Sequence, residues 1–297
     1  MDTNCDRLAE MIRVACCWEA TARKPGNVHP AESFADLTYD DFIRAANVAA
    51  PELARAADVG VGRAVLDAIR ATRDATGRNV NLGIALLIAP LAAVPAERSL
   101  EDGIGPVLNS LDQTDAARVY EAIRIAAPGG MGRVGDQDVA GVPTETLREV
   151  MRRAADRDQI AAEYAHGFPV VREYAAAHFT TPLDGHETWN ASIVHLQLKL
   201  LARFGDSLIA RKCGADTTAE VQQRAGRALQ SYERTGRLGT PEIAELDAWL
   251  HGDEHRRNPG TTADLIAAIL FAVFRDGHAD YKSAAGALPV SGSDRKR

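Results

Sequence analysis

Apolar residues in this chain recur three and four positions apart almost from end to end, the period of a helix that buries one face. The pattern predicts helices over about 5–22, 39–56, 60–76, 82–93, 115–126, 145–166, 168–178, 189–210, 217–235, 241–251 and 262–276. Alternating or β-branched runs are scarce. No strand–glycine loop–helix unit occurs, so dinucleotide-binding and P-loop folds have no support. Breaks rich in Gly and Pro separate the helices at Lys24-Pro25-Gly26-Asn27, Thr76-Gly77-Arg78-Asn79, Pro128-Gly129-Gly130, Thr181 to Gly185 and Asn258-Pro259-Gly260. No long linker divides them. The expectation is an all-α fold, a single-domain multi-helix bundle with a polar cleft between helices, over residues 1–282. A disordered tail is expected over 283–297.

A chain of 297 residues buries about three quarters of its unfolded surface, so it needs no disulfide or metal staple. Cys5, Cys16, Cys17 and Cys213 have neither zinc-ligand nor disulfide-framework spacing, and the adjacent Cys16 and Cys17 read as small core residues. Lys and Arg number 34 against 41 Asp and Glu, a formal charge of −7. That balance argues against nucleic acid as a partner. The longest apolar run, Leu82 to Val94, is too short to span a bilayer and contains Pro90, so it reads as a buried helix and no membrane partner is expected. The first residues lack a basic segment followed by an apolar core, which points to a cytoplasmic protein.

Charges interrupt three of the apolar stripes. Leu8, Ile12 and Ala15 lead to Glu19; Leu66 and Ile69 lead to Arg73; Leu147, Met151 and Ala154 lead to Asp158. A charge on such a face is costly unless paired, hydrogen-bonded or metal-bound. Any one of them alone reads as an ion pair or a helix end. Three beside Gly/Pro breaks or Asp-rich segments point to a shared polar cavity.

The breaks themselves suit anions. Asn81 is placed to cap the apolar helix, with Gly83 in its first turn and Arg78 just before it. Thr261 with Asp264 has ordinary capping-box spacing, and the loop Gly129 to Gly135 is by itself a weak phosphate signal. Carboxylates gather at Asp36, Asp40 and Asp41, at Asp136 and Asp138, and at Asp156 and Asp158. Such groups suit magnesium held with substrate phosphates, or are solvated loop charges. His251 and His255 are four apart without a zincin motif and read as surface-helix positions.

Four segments occur in a telling order: Arg23-Lys24-Pro25-Gly26-Asn27-Val28 after Glu19, Thr76-Gly77-Arg78-Asn79-Val80-Asn81-Leu82-Gly83, Asp206-Ser207-Leu208-Ile209-Ala210-Arg211-Lys212-Cys213-Gly214, and Asn258-Pro259-Gly260-Thr261-Thr262-Ala263-Asp264-Leu265. Together they resemble the triphosphoribosyl-dephospho-CoA synthase family, over roughly residues 10–275. The family's Pro-Lys-Pro-Gly stands here as Arg23-Lys24-Pro25-Gly26. Its Asn-Thr-His-Lys-Gly stands as Asn79-Val80-Asn81-Leu82-Gly83, without the histidine and lysine. This is the pattern of a divergent member.

The resemblance implies ATP as substrate, Mg2+ as cofactor and small-molecule nucleotide and coenzyme-precursor partners. The reaction moves the 5-triphosphoribosyl group of ATP to a ribose hydroxyl of dephospho-CoA or a related precursor and releases adenine. Glu19 and Asp158 are the candidates for base or metal ligand. Asp36, Asp206 and Asp264 are candidates for magnesium. Lys24, Gly26, Arg73, Arg78, Asn79, Asn81, Gly83, Arg211, Lys212, Gly260 and Thr261 are candidates for ATP and phosphate binding. A transferase with another acceptor, a magnesium-dependent nucleotide or ADP-ribosyl hydrolase, and a non-catalytic nucleotide-binding protein stay open, as does a homo-oligomer.

Overall fold

The computed structural model describes residues 3–127, 139–179 and 183–289. Among them the regular structure is helical: α1 (Thr3–Thr21), α2 (Tyr39–Ala54), α3 (Ala56–Val59), α4 (Val61–Thr76), α5 (Leu82–Ala92), α6 (Leu100–Ser110), α7 (Gln113–Ala126) and α8 (Leu147–Ala154). There follow α9 (Gln159–His166), α10 (Pro169–Ala177), α11 (His186–Phe204), α12 (Ser207–Cys213), α13 (Ala215–Thr235), α14 (Pro241–His251), α15 (Gly260–Arg275) and α16 (Tyr281–Ala287). The all-α expectation holds. No described helix is long and apolar enough to cross a membrane.

Helices that are apolar all round belong in the centre of a bundle. α15 is such a helix, buried continuously from Leu265 to Phe274, and it packs on α1, α5, α10 and α11. α5 is buried from Gly83 to Ala92, with Pro90 inside it. The amphipathic helices α1, α2, α4 and α7 pack each on the next along one side. A second apolar cluster joins α11, α12, α13 and α14 through Leu198, Leu201, Ile209, Val221 and Leu246.

Three expected boundaries change. The helix predicted over 145–166 is two, because Asp158 caps α9 by accepting hydrogen bonds from the N–H groups of Ile160 (2.9 Å) and Ala161 (3.0 Å). Asp158 is therefore an N-cap and does not lie on the stripe that starts at Leu147. The helix predicted over 189–210 is also two. It stops at Gly205, whose φ of 67° suits glycine, and restarts behind the Asp206 cap. The tail boundary expected at 283 falls inside α16, which Asp280 caps. Residues 290–297 lie outside the described residues, as do the loop Gly129 to Gly135, Asp136 and Asp138.

α10 begins without a cap of its own. Glu163 of α9 supplies one, accepting from Val170 N–H (3.2 Å) and Val171 N–H (3.0 Å). Burial pushes the Glu163 carboxyl up to about 7. The native state then holds a proton that the unfolded chain has released, and the stability from this group is lost as pH rises from about 4.5 through about 7. Over that window the loss is about 3 kcal/mol. Denaturant melts at pH 5 and pH 8 should show this slope in the wild type and a flatter one in Glu163→Gln.

Candidate active site

A cleft of about 1320 Å3 opens where the N-termini of α5, α9, α12 and α15 converge. Cross-bonds set three of these ends against each other. Gln159 N–H donates to Ser207 Oγ (3.3 Å), Ser207 N–H donates to Gln159 Oε1 (3.1 Å), and Ser207 Oγ donates to Thr261 Oγ1 (3.1 Å). Asp206, with 0% exposure, ties α12 to α15. Its Oδ1 accepts from the N–H groups of Leu208 (2.9 Å) and Ile209 (3.1 Å), and its Oδ2 accepts from Thr262 N–H and Oγ1, both at 2.8 Å. Burial raises the Asp206 carboxyl, against the pull of these donors. A carboxylate with four donors has no strong lone pair left for a metal, so Asp206 does not fit the magnesium role expected of it.

The fourth N-terminus, that of α5, faces Asp264. The structure contains no Thr261–Asp264 capping box; the Asp264 carboxylate accepts from Ile84 N–H instead. Its pKa is raised well above the usual carboxylate range, first by withdrawal from water and then by the negative charges of Glu19, Asp206 and Asp158. Gly83 is what permits this approach: a Cβ there would lie 2.0 Å from Asp264 Oδ2 and 2.8 Å from Ile160 Cδ1. Gly83→Ala should therefore turn Asp264 away. The expected result is a turnover loss of tenfold or more, with about 1–3 kcal/mol of overpacking in a thermal melt.

Glu19 lines the cleft with 3% exposure, and Lys24, with 0%, sits behind it. The Lys24 Nζ lies 3.0 Å from Glu19 Oε1 and also donates to the Glu19 main-chain carbonyl. The stripe ending at Glu19 thus marks a buried, paired carboxylate. Lys24, expected at the phosphates, is not on the cleft wall; it is the counter-charge of Glu19. Gly26 is likewise off the wall. It makes a tight turn at φ 77° against Leu250 and Pro259 and donates its N–H to Asp247 Oδ1 (2.8 Å).

Asn81 precedes α5 as expected, yet its side chain makes no cap bond. It is buried off the cleft wall, with Oδ1 unpartnered. Arg73, Arg78, Asn79, Gly83, Arg211, Lys212, Gly260 and Thr261 do line the cleft, and Asp36 lies exposed on its wall. Arg73 leaves the apolar stripe of α4 and is exposed. Arg78 lies 4.0 Å from Asp41, and Arg211 lies 3.6 Å from Asp158 Oδ2. Because carboxylates of the chain itself occupy N–H groups at these helix ends, the side-chain cations are left as the main groups for a polyphosphate.

Several wall residues were missed from sequence. Arg153 in the last turn of α8 and Arg157 in the turn after it add two cations, and Asn27 and Asn258 add two amides. Asn27 and Asn258 stand in the segments that carry the resemblance, but an uncharged residue in a loop gave no separate signal. His251 and His255 are not surface-helix positions. His251 closes α14 with Nδ1 3.0 Å from Asp247 Oδ1, and His255 stacks on Phe34.

The cleft thus sets cations on its walls around the buried carboxylates of Glu19 and Asp206. The family model described as CitG, ATP:dephospho-CoA triphosphoribosyl transferase, matches residues 5–283. The chain belongs to this family. It is also similar to a crystal structure from Archaeoglobus fulgidus, provisionally described as a triphosphoribosyl-dephospho-CoA synthase. The two share 26% identity and a TM-score of 0.62, over 78% of this chain and 98% of that one. No curated protein sequence matches the chain. Membership makes the chain a transferase, and the four segments of the resemblance, Glu19 included, surround the cleft of a triphosphoribosyl transferase.

Proposed function

We propose that this cleft transfers the 5-triphosphoribosyl group of ATP to a ribose hydroxyl of dephospho-CoA, with release of adenine. The observation that carries the reading is the cleft itself. Single-ligand pockets run to roughly 300–1,000 Å3, and about 1320 Å3 exceeds that range, as a reaction between two nucleotide-sized substrates requires. Its cations come from separate elements, Arg73 and Arg78 around the end of α4, Arg157 after α8, and Arg211 and Lys212 on α12. Both substrates carry polyphosphate, and guanidinium groups suit its oxygens.

The acceptor oxygen attacks C1 of the ATP ribose, and the bond from C1 to the adenine nitrogen breaks. Glu19 takes the proton from the attacking hydroxyl, and the net proton passes to the departing base. Lys24 keeps the carboxylate charge compensated inside the protein and fixes its direction. The positive charge that develops on the ribose faces Glu19 and Asp264.

Magnesium belongs to the same proposal. Among the described residues no group of three or more His, Cys, Asp or Glu side chains is arranged to hold a metal unaided. Magnesium is commonly held by one or two carboxylates together with substrate phosphates, and the donor set fits that mode. Asp264 is crowded by negative neighbours that a cation would relieve, and Asp158 keeps Oδ2 free of backbone N–H donors, with Arg211 3.6 Å from it. These two would hold the ion, which supplies charge neutralisation for the triphosphate.

The test is incubation with ATP, Mg2+ and dephospho-CoA, followed by chromatography of the base products. Adenine formed only when the acceptor is present is the expected result. ADP or AMP as the main product would overturn the proposal, and adenine formed equally without acceptor would replace it with hydrolysis.

A further inference from the structure

The loop after α1 and the turn before α15 touch twice on the cleft wall. Phe34 stacks on His255, with ring centroids 4.0 Å apart and 25° between planes. Asn27 Nδ2 donates to Asn258 Oδ1 at 2.8 Å. Phe34, Asn27 and Asn258 all line the cleft, and His255 backs Phe34 from outside it. His255 lies in a stretch where Asp253, Glu254 and His255 have φ of 56°, 53° and 60°. Such a left-handed run is unfavourable for non-glycine residues and persists only where its surroundings hold it.

Gln197 of α11 sets the polarity of the amide pair. It has 0% exposure, and its Nε2 donates to Pro25 O and to Asn27 Oδ1, both at 2.9 Å. With Oδ1 of Asn27 held as an acceptor, Nδ2 is the donor to Asn258 Oδ1. Both N–H groups of Asn258 Nδ2 are therefore left to offer the cleft, with one bond already made at its Oδ1. A directed amide donor beside an aromatic ring complements a flat base with π-faces and ring-nitrogen lone pairs. Neither residue carries the charge that recognition of a phosphate would use.

We propose that Phe34 and Asn258 form the subsite for the adenine ring of ATP. Gln197 and Asn27 are positioning residues that keep the N–H of Asn258 towards a ring nitrogen. The proposal rests on the transferase reading only in taking adenine as the base. A donor at that nitrogen also stabilises negative charge on the base as it leaves.

Calorimetry on the full chain with two probes, free adenine and inorganic tripolyphosphate, tests it. Phe34→Leu and Asn258→Ala should each weaken adenine binding about tenfold and leave tripolyphosphate binding within twofold of wild type. Gln197→Met, at a position buried away from any ligand, should weaken adenine severalfold with the same selectivity. A residue that merely held the fold would weaken both probes together, and that result overturns the proposal, as does unchanged adenine affinity in Phe34→Leu and Asn258→Ala. Selective loss of adenine in a protein that never releases adenine from ATP would keep the subsite and remove the transferase reading.

Discussion

Lys24→Met is expected to destabilise the protein by about 3–5 kcal/mol and to lower the melting temperature on the order of 10 °C. The Lys24 ammonium has 0% exposure and lies 3.0 Å from the carboxylate of Glu19, itself 3% exposed. Removing the ammonium leaves a negative charge on α1 with no counter-charge and only 3% exposure through which water could solvate it. Because the cost is that of an orphaned charge, it should be recoverable. The double variant Lys24→Met with Glu19→Gln should regain most of the lost stability while turnover stays lower by about 100-fold or more, since the proposed general base is gone. A single variant as stable as the wild type would show that the pair is not buried as described. Full turnover in the double variant would remove Glu19 from the chemistry.

Asp264→Asn should have the opposite sign in stability and a larger effect on rate. Asp264 is raised well above the usual carboxylate range by withdrawal from water and by Glu19, Asp206 and Asp158. An isosteric neutral amide relieves that repulsion, so a thermal melt at neutral pH should shift upward. Turnover should fall on the order of 100-fold or more, because the charge proposed to face the reacting ribose and to hold the cation is lost. Active sites that hold unfavourable charge for function show this trade. A less stable variant with wild-type turnover would contradict the role given to Asp264.

The helices were legible because burial of one face leaves a period of 3.6 in the sequence, and α5 and α15 stood out by being apolar throughout. The breaks at α8–α9 and α11–α12 were not read, although Asp158 and Gly205-Asp206 are sound cap signals. Apolar spacing continues across both breaks, and the spacing was given more weight than the caps. Glu19 was found because a charge on an apolar stripe is conspicuous. Lys24 was named but placed wrongly, since sequence does not say on which side of a turn a side chain is buried. Gln197 was invisible: it is neutral, it sits within a helical pattern, and its partners Pro25 and Asn27 are 172 and 170 positions away. The convergence of four helix N-termini is a property of packing between distant segments, and no local signal encodes it.

The central claim is that one cleft moves an intact triphosphoribosyl group, so that base and phosphates of ATP part company. A dual-label experiment with ATP carrying one isotope in adenine and another in the γ-phosphate, together with Mg2+ and dephospho-CoA, tests it most directly. The account predicts that the γ label appears in the dephospho-CoA product in equal amount to the adenine label released as free base. Recovery of the γ label as orthophosphate or pyrophosphate, or of the adenine label in ADP or AMP, would contradict it.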